Sequence, residues 1–102
     1  MDFIIVDVGV YTALQIDLSE FDFTDIEKVI FTIKNQPVTN ENVIVERTFV
    51  SSGVFDIIIS PEESVKLIDG AVYDFNAVFT DGNRYKISET GKVILRPSVG
   101  SV

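Results

Sequence analysis

The sequence contains no cysteine, no histidine and no tryptophan, and its one methionine is Met1. Without cysteine no disulfide can hold the fold, and without cysteine or histidine the usual zinc ligands are missing. No side chain remains whose ordinary pKa lies near neutrality, so the commonest general base and every Ser-His or Cys-His pairing are excluded. Positive charge is scarce: eight Lys and Arg stand against sixteen Asp and Glu, a formal net charge of −8 over 102 residues. The basic residues are scattered from Lys28 to Arg96 without a run. Phosphate backbones and anionic bilayers both need clustered cations, so neither a nucleic acid nor a membrane is expected as a partner. The six glycines are dispersed and form no phosphate-cradling loop. No apolar run approaches the ~20 residues of a membrane helix. The start of the chain, Met1 to Asp7, lacks the basic region of a signal peptide, and the expectation is maturation in a reducing cytoplasm.

What is present is period-two patterning. Leu14, Ile16 and Leu18 share one face, as do Val29, Phe31 and Ile33; Val43, Val45 and Phe49; Phe55, Ile57 and Ile59; and Tyr73, Phe75, Ala77 and Phe79. Alternation over five to nine residues in β-branched and aromatic company predicts half-buried antiparallel strands. Two shorter strands are expected over 83–88 and 92–96, and another over Phe3–Val6. Turn chemistry separates them: Gly9, Asn35-Gln36-Pro37, Ser51-Ser52-Gly53, Thr90-Gly91, and Asp81-Gly82, read as a tight hairpin with both residues at positive φ. Phe31, Phe49, Phe55, Phe75 and Phe79 fall on inward registers and read as core.

One segment is helical. Ser60-Pro61-Glu62-Glu63 combines an N-cap serine, proline in the first turn and a glutamate three residues after the cap, and Asp69-Gly70 supplies the stop. A two-turn helix is expected at about 61–68. The similar signal at Thr24-Asp25-Ile26-Glu27 is followed by Val29 to Ile33, whose period is two, and reads as a decoy. Seven to eight short strands with one crossing helix predict an all-β sandwich, with a small barrel as the alternative.

Asp69-Gly70-Ala71-Val72-Tyr73-Asp74-Phe75 resembles the immunoglobulin strand-F signature, Asp-x-Ala-x-Tyr-x-Cys. The resemblance implies an immunoglobulin-like antiparallel β-sandwich and a structural corner built by Asp69 and Tyr73, the Tyr73 hydroxyl bonding back to backbone near Leu67 to Asp69. Phe75 stands where that family has cysteine.

Carboxylates are the only plentiful reactive groups. Asp17, Asp22 and Asp25 could in principle pair for hydrolysis, and Asp22, Asp25 and Glu27 could offer oxygens to calcium. No Asp-x-Asp-x-Asp-Gly pattern accompanies them, and they read as turn and solvating residues. Ser19, Ser51, Ser52, Ser60 and Ser64 have no Gly-x-Ser-x-Gly elbow around them. The sequence therefore assigns no catalytic residue, no metal site and no cofactor. Two surfaces stand out instead. Phe21 and Phe23 lie in a polar loop, where they either cap the open end of the sandwich or form a contact patch. Phe3, Ile4, Ile5 and Val6 make a strand apolar on both faces, although an outer strand of a sandwich meets the core on only one. The second face calls for cover, from this chain or from another subunit, and a homo-oligomer or a partner protein is expected there.

The order of features has a further resemblance. Asp17-Leu18-Ser19, Phe31-Thr32-Ile33-Lys34, Ser60-Pro61-Glu62-Glu63-Ser64 with Leu67, Tyr73-Asp74-Phe75, Asp81-Gly82 and Gly91-Lys92-Val93-Ile94-Leu95 are similar to the small β-sandwich structural proteins of tailed bacteriophages, in particular the N-terminal domain of baseplate upper proteins. That resemblance implies a non-enzymatic accessory protein of a phage or prophage virion. Its partners would be itself and other virion proteins, and its place the virion or the host cytoplasm during assembly. A carbohydrate- or cell-surface-binding module is the alternative, and it would need an exposed aromatic platform drawn from Phe21, Phe23, Tyr11 and Tyr85.

Overall fold

Alternating apolar residues can bury only one face of a strand, so each patterned segment needs a second layer to pack against. The computed structural model, which describes residues 3–50, 53–87 and 90–97, meets that need with two sheets. The strands are β1 (Phe3–Val8), β2 (Thr12–Asp17), β3 (Ile26–Lys34), β4 (Val43–Val50), β5 (Val54–Ile59), β6 (Val72–Phe79), β7 (Arg84–Lys86) and β8 (Gly91–Pro97), with one helix, α1 (Pro61–Ser64). The larger sheet has the order β1-β8-β6-β3-β4, with β7 also on β6; the smaller pairs β2 with β5. β7 and β8 run along the same edge of β6, pairing with its two halves in turn. This is the immunoglobulin-like sandwich, and the barrel does not form.

One pairing departs from the antiparallel expectation. β1 runs parallel to β8, from Phe3 opposite Lys92 to Val8 opposite Pro97. Parallel neighbours need a long connection, and here nearly the whole domain supplies it.

The core lies between the sheets. Phe31, Ile33 and Val29 from β3, Phe75 and Ala77 from β6, and Phe55, Ile57 and Ile59 from β5 are shut off from solvent. Each fully buried Phe or Ile contributes about 1.5–3 kcal/mol of hydrophobic stabilisation. Phe75 meets Phe31 with ring centroids 5.1 Å apart and Phe55, across the sheets, at 5.4 Å. Rings thus join the layers where an immunoglobulin domain would use its cysteine. Phe49 and Phe79 pack against this cluster from its margin, half-buried.

The turns depart from expectation in two places. Between β6 and β7 only Gly82 has positive φ, at 89°; Phe79 N–H donates to Asn83 O at 2.8 Å, and Phe79 O accepts from Gly82 N–H at 2.9 Å. The loop is therefore Thr80-Asp81-Gly82, with glycine in the left-handed position, rather than a two-residue turn. The helix is also shorter than 61–68. Its capping box is complete, Glu63 N–H donating to Ser60 Oγ and Ser60 N–H to Glu63 Oε1. Beyond Ser64 the backbone bonds tighten to i→i−3, Lys66 N–H to Glu63 O and Leu67 N–H to Ser64 O, and Asn35, from the loop after β3, holds this following turn: its Nδ2 donates to Lys66 O at 2.8 Å and its Oδ1 accepts from Ile68 N–H at 3.0 Å. The decoy at Thr24 stays non-helical, and β3 begins at Ile26. The expected turn residues Ser51 and Ser52, and the end of the expected 83–88 strand, lie outside the described residues.

Candidate functional site

The β1–β8 ribbon alternates as an outer strand pair must. Ile4 and Val6 point into the core beside Val93 and Leu95, so one of the two apolar faces of β1 is covered by the chain itself. The other carries Phe3, Ile5 and Asp7, in register with Lys92, Ile94 and Arg96. Phe3 is 37% exposed and Ile94 45%, and Ile5 is half-buried between them. Below this patch the ribbon is fastened by a two-point ion pair, Arg96 Nε to Asp7 Oδ1 at 2.6 Å and Nη2 to Oδ2 at 3.2 Å. Those hydrogen bonds and the adjacent positive charge hold the Asp7 carboxyl below its usual range. β1 is the last strand of its sheet, so its outer edge has no strand partner among the described residues.

Beside the patch, a groove of about 450 Å³ opens between the sheets, lined by Phe3, Ile4, Ile5, Leu14, Ile16 and Tyr73. Leu14 and Ile16 are half-buried, whereas their β5 partners Ile57 and Phe55 are fully enclosed. The core is thus complete on the β5 side and open along β2.

The remaining sequence candidates fall elsewhere. Phe23 turns inward, 6.2 Å from Phe55, and Phe21 stacks edge-on against Phe23 at 5.4 Å while staying 37% exposed. Phe23 therefore caps the end of the sandwich and Phe21 lies on its surface. Asp69 is an exposed turn residue before β6. Tyr73 is half-buried, 6.0 Å from Phe31, and its ring and hydroxyl lie over Gly91 of β8. Tyr11 projects from the β1–β2 turn, and Tyr85 packs on Phe79 at 5.1 Å. Among the described residues no ring contact joins Tyr11, Phe21 and Tyr85 to one another; Phe21 meets Phe23 and Tyr85 meets Phe79.

The acids act as turn formers. Asp17, Asp22 and Asp81 each accept a backbone N–H two residues on, from Ser19, Thr24 and Asn83, at 2.8–2.9 Å. Bonds from the hydroxyl and backbone of Ser19 and of Thr24 lower the pKa of Asp17 and Asp22. Asp25 sits in the left-handed region, φ 65°, and its carbonyl accepts from Thr80 N–H. Among the described residues no three acidic groups come together as a metal site. Ser64 is buried and occupied, donating to Pro61 O and accepting from Gly9 N–H, both at 2.9 Å, which ties α1 to the β1–β2 turn. Two contacts were invisible to sequence patterning, the Asn35 cap and the reach of Arg47 to Glu63, because both partners are joined only by tertiary packing.

No protein-family model matches the chain. No curated protein matches it in sequence. Among solved structures, the Group B Streptococcus pullulanase SAP contains a similar fold, with a TM-score of 0.50 and 15% identity over 82% of this chain. The match spans 10% of the pullulanase chain. At that identity the likeness concerns the sandwich alone. Among the described residues no helix is long and apolar enough to cross a membrane.

Proposed function

We propose that this chain is a non-enzymatic interaction module that works through protein–protein contacts, with the outer face of β1–β8 as its contact surface and a second copy as the occupant. The observation that carries the reading is the Phe3–Ile5–Ile94 patch beside the open β1–β2 groove. Apolar surface of this kind gains by being covered, and the free edge of β1 can pair with the same edge of a second copy about a two-fold axis. A virion accessory protein of tail or baseplate type, from a phage or prophage, is the setting that the resemblance of its motifs supports. Such a protein would reside in the virion, or in the host cytoplasm during assembly. Sedimentation velocity at micromolar concentration tests the contact. The expected result is a dimer that Ile94→Lys or Ile5→Lys converts to monomer without loss of fold. A wild-type chain that stays monomeric across the concentration range would overturn self-association.

A second reading is a carbohydrate- or cell-surface-binding module. Its support is the fold shared with part of a pullulanase. The lack of ring contacts among Tyr11, Phe21 and Tyr85 speaks against a stacking platform, so this reading needs a different kind of site.

A further inference from the structure

The basic residues are dispersed along the chain, but the fold collects them. Phe31 and Ile33 of β3 and Phe75 and Ala77 of β6 point into the core, so the residues that alternate with them face outward. On that outer face of the larger sheet lie Lys28, Lys34, Arg84, Lys86, Lys92 and Arg96, six of the eight Lys and Arg in the chain. A chain with a net charge of −8 therefore has one face enriched in cations.

Three of these cations form a compact group. Across β4, β3, β6 and β7 the strand registers place Val50, Lys28, Val78 and Arg84 in one row, and Thr48, Ile30, Asn76 and Lys86 in the next. From the spacing of strands and of alternate residues, Lys28, Arg84 and Lys86 fall within roughly 12 Å of one another. All three are exposed. Among the described residues the ion pairs are Arg47–Glu63 and Arg96–Asp7, so none of the three is neutralised there. Lys86 Nζ donates to Thr90 Oγ1, a neutral partner. Neither row contains a carboxylate. Apolar surface accompanies the charge: Val50 is 84% exposed at the end of its row, and Val78 is half-buried between Lys28 and Arg84.

This mixture narrows the occupant. Cations interspersed with valine suit a partner that brings carboxylates and aliphatic carbon together, which is the make-up of an acidic protein segment. A nucleic-acid backbone fits less well. Its affinity grows with the number of phosphates neutralised, and the next row of this face, Glu46-Thr32-Asp74, meets its continuing phosphates with two carboxylates. A second copy also fits less well. Its own face carries the same cations, and its loop residues Asp17, Asp22 and Asp81 each have an oxygen committed to their own turns.

We propose that the Lys28–Arg84–Lys86 patch docks an acidic segment of a different protein, with carboxylates on the three cations and aliphatic side chains on Val50 and Val78. The patch is separate from the β1–β8 surface. Arg84 is opposite Val78 at one end of β6, whereas Gly91, where β8 begins, is opposite Tyr73 at the other. The two surfaces can therefore fail independently.

Amide chemical-shift titration of the full chain with a short peptide of repeating Glu-Glu-Val tests the site, with repeating Lys-Lys-Val and oligothymidylate as comparisons. The acidic peptide should give saturable shifts centred on Lys28, Val50, Val78 and Arg84, and its affinity should fall as salt is added. Lys28→Glu and Arg84→Glu should each weaken binding about tenfold, the scale of exchanging an exposed attraction for a repulsion. Lys66→Glu changes the net charge equally but lies away from this face, and it should leave the affinity unchanged. Ile94→Lys, which disrupts the β1–β8 surface, should also leave it unchanged. The proposal is overturned if the acidic peptide gives no saturable shifts at these amides, if Lys66→Glu weakens binding as much as Lys28→Glu, or if the Lys-Lys-Val peptide shifts the same amides. Tighter binding of oligothymidylate there would overturn it in favour of a nucleic acid. Loss of self-association in Lys28→Glu would overturn it in favour of a second copy.

Discussion

Arg47 on β4 donates from Nη2 to Glu63 Oε1 at 2.6 Å, to the same carboxylate oxygen that accepts Ser60 N–H in the capping box. The same nitrogen reaches Ile58 O at 3.1 Å. One guanidinium therefore joins the edge of the larger sheet to the smaller sheet and to α1. β4 and β5 are neighbours in sequence but lie in different sheets, and this contact helps close the sandwich on their side.

Removing either partner should destabilise the fold. The pair is partly shielded, with side-chain exposures of 34% and 22%, so its worth lies between a surface pair and a buried one. Arg47→Ala and Glu63→Gln are each expected to cost about 1 kcal/mol, with coupling of about 0.5 kcal/mol or more in a double-mutant cycle. Urea unfolding of the four proteins measures this, and additive single effects would show that the contact carries no energy.

The same carboxylate makes stability depend on pH. Burial pushes the Glu63 pKa up, but bonds from Arg47 and from Ser60 N–H, with the Arg47 charge, outweigh it and leave the pKa below 4.5. A depressed folded-state pKa means that the unfolded chain binds the proton more readily. The stabilisation is therefore full above about pH 4.5, and it is lost as the pH falls through the folded value. The gap in urea midpoint between wild type and Glu63→Gln should be wide at pH 7 and should narrow steadily below pH 4.5. A gap that does not change with pH would remove the ionised pair from the account.

Gly91 is required by space rather than by φ. A Cβ built there would lie 2.4 Å from Tyr73 Cε1 and 2.7 Å from the hydroxyl oxygen. The tyrosine ring covers the backbone of β8 where that strand joins β6. Gly91→Ala should cost on the order of 1–3 kcal/mol, the range for overpacking. Tyr73→Leu should recover part of the loss in the double mutant, whereas Tyr73→Phe, which keeps the ring, should not. Thermal unfolding of the set distinguishes these outcomes.

Asn35 holds the turn after α1 from a distant part of the chain. Asn35→Ala removes two hydrogen bonds, to Lys66 O and from Ile68 N–H, both at an exposed corner. The expected loss is about 1–2 kcal/mol. The Ile68 amide should exchange with solvent markedly faster in the variant, while amides of β3 and β6 keep their protection. Unchanged exchange at Ile68 would show that the cap is dispensable.

Local chemistry was enough to locate most elements. Val29, Phe31 and Ile33 alternate because one face of β3 meets the core, and the period of two survives in any sandwich that uses it, although Ile30 and Thr32 on the other face are covered as well. Ser60, Pro61 and Glu63 form a helix start from within four residues, and Gly9, Gly70 and Gly82 occur where the backbone adopts positive φ. These signals act over a few residues, so they are readable in the chain itself. What tertiary structure alone decided involves groups far apart in sequence. The parallel register of β1 on β8 joins Ile5 to Ile94, and it determines that Ile4 and Val6 enter the core while Phe3 and Ile5 face outward. Asn35 holds the turn after a helix that begins 26 residues later, and Thr32 is buried on a face where alternation alone would leave it exposed. Such outcomes depend on which strands become neighbours, and that choice rests on the packing of the whole core, with no one local pattern encoding it.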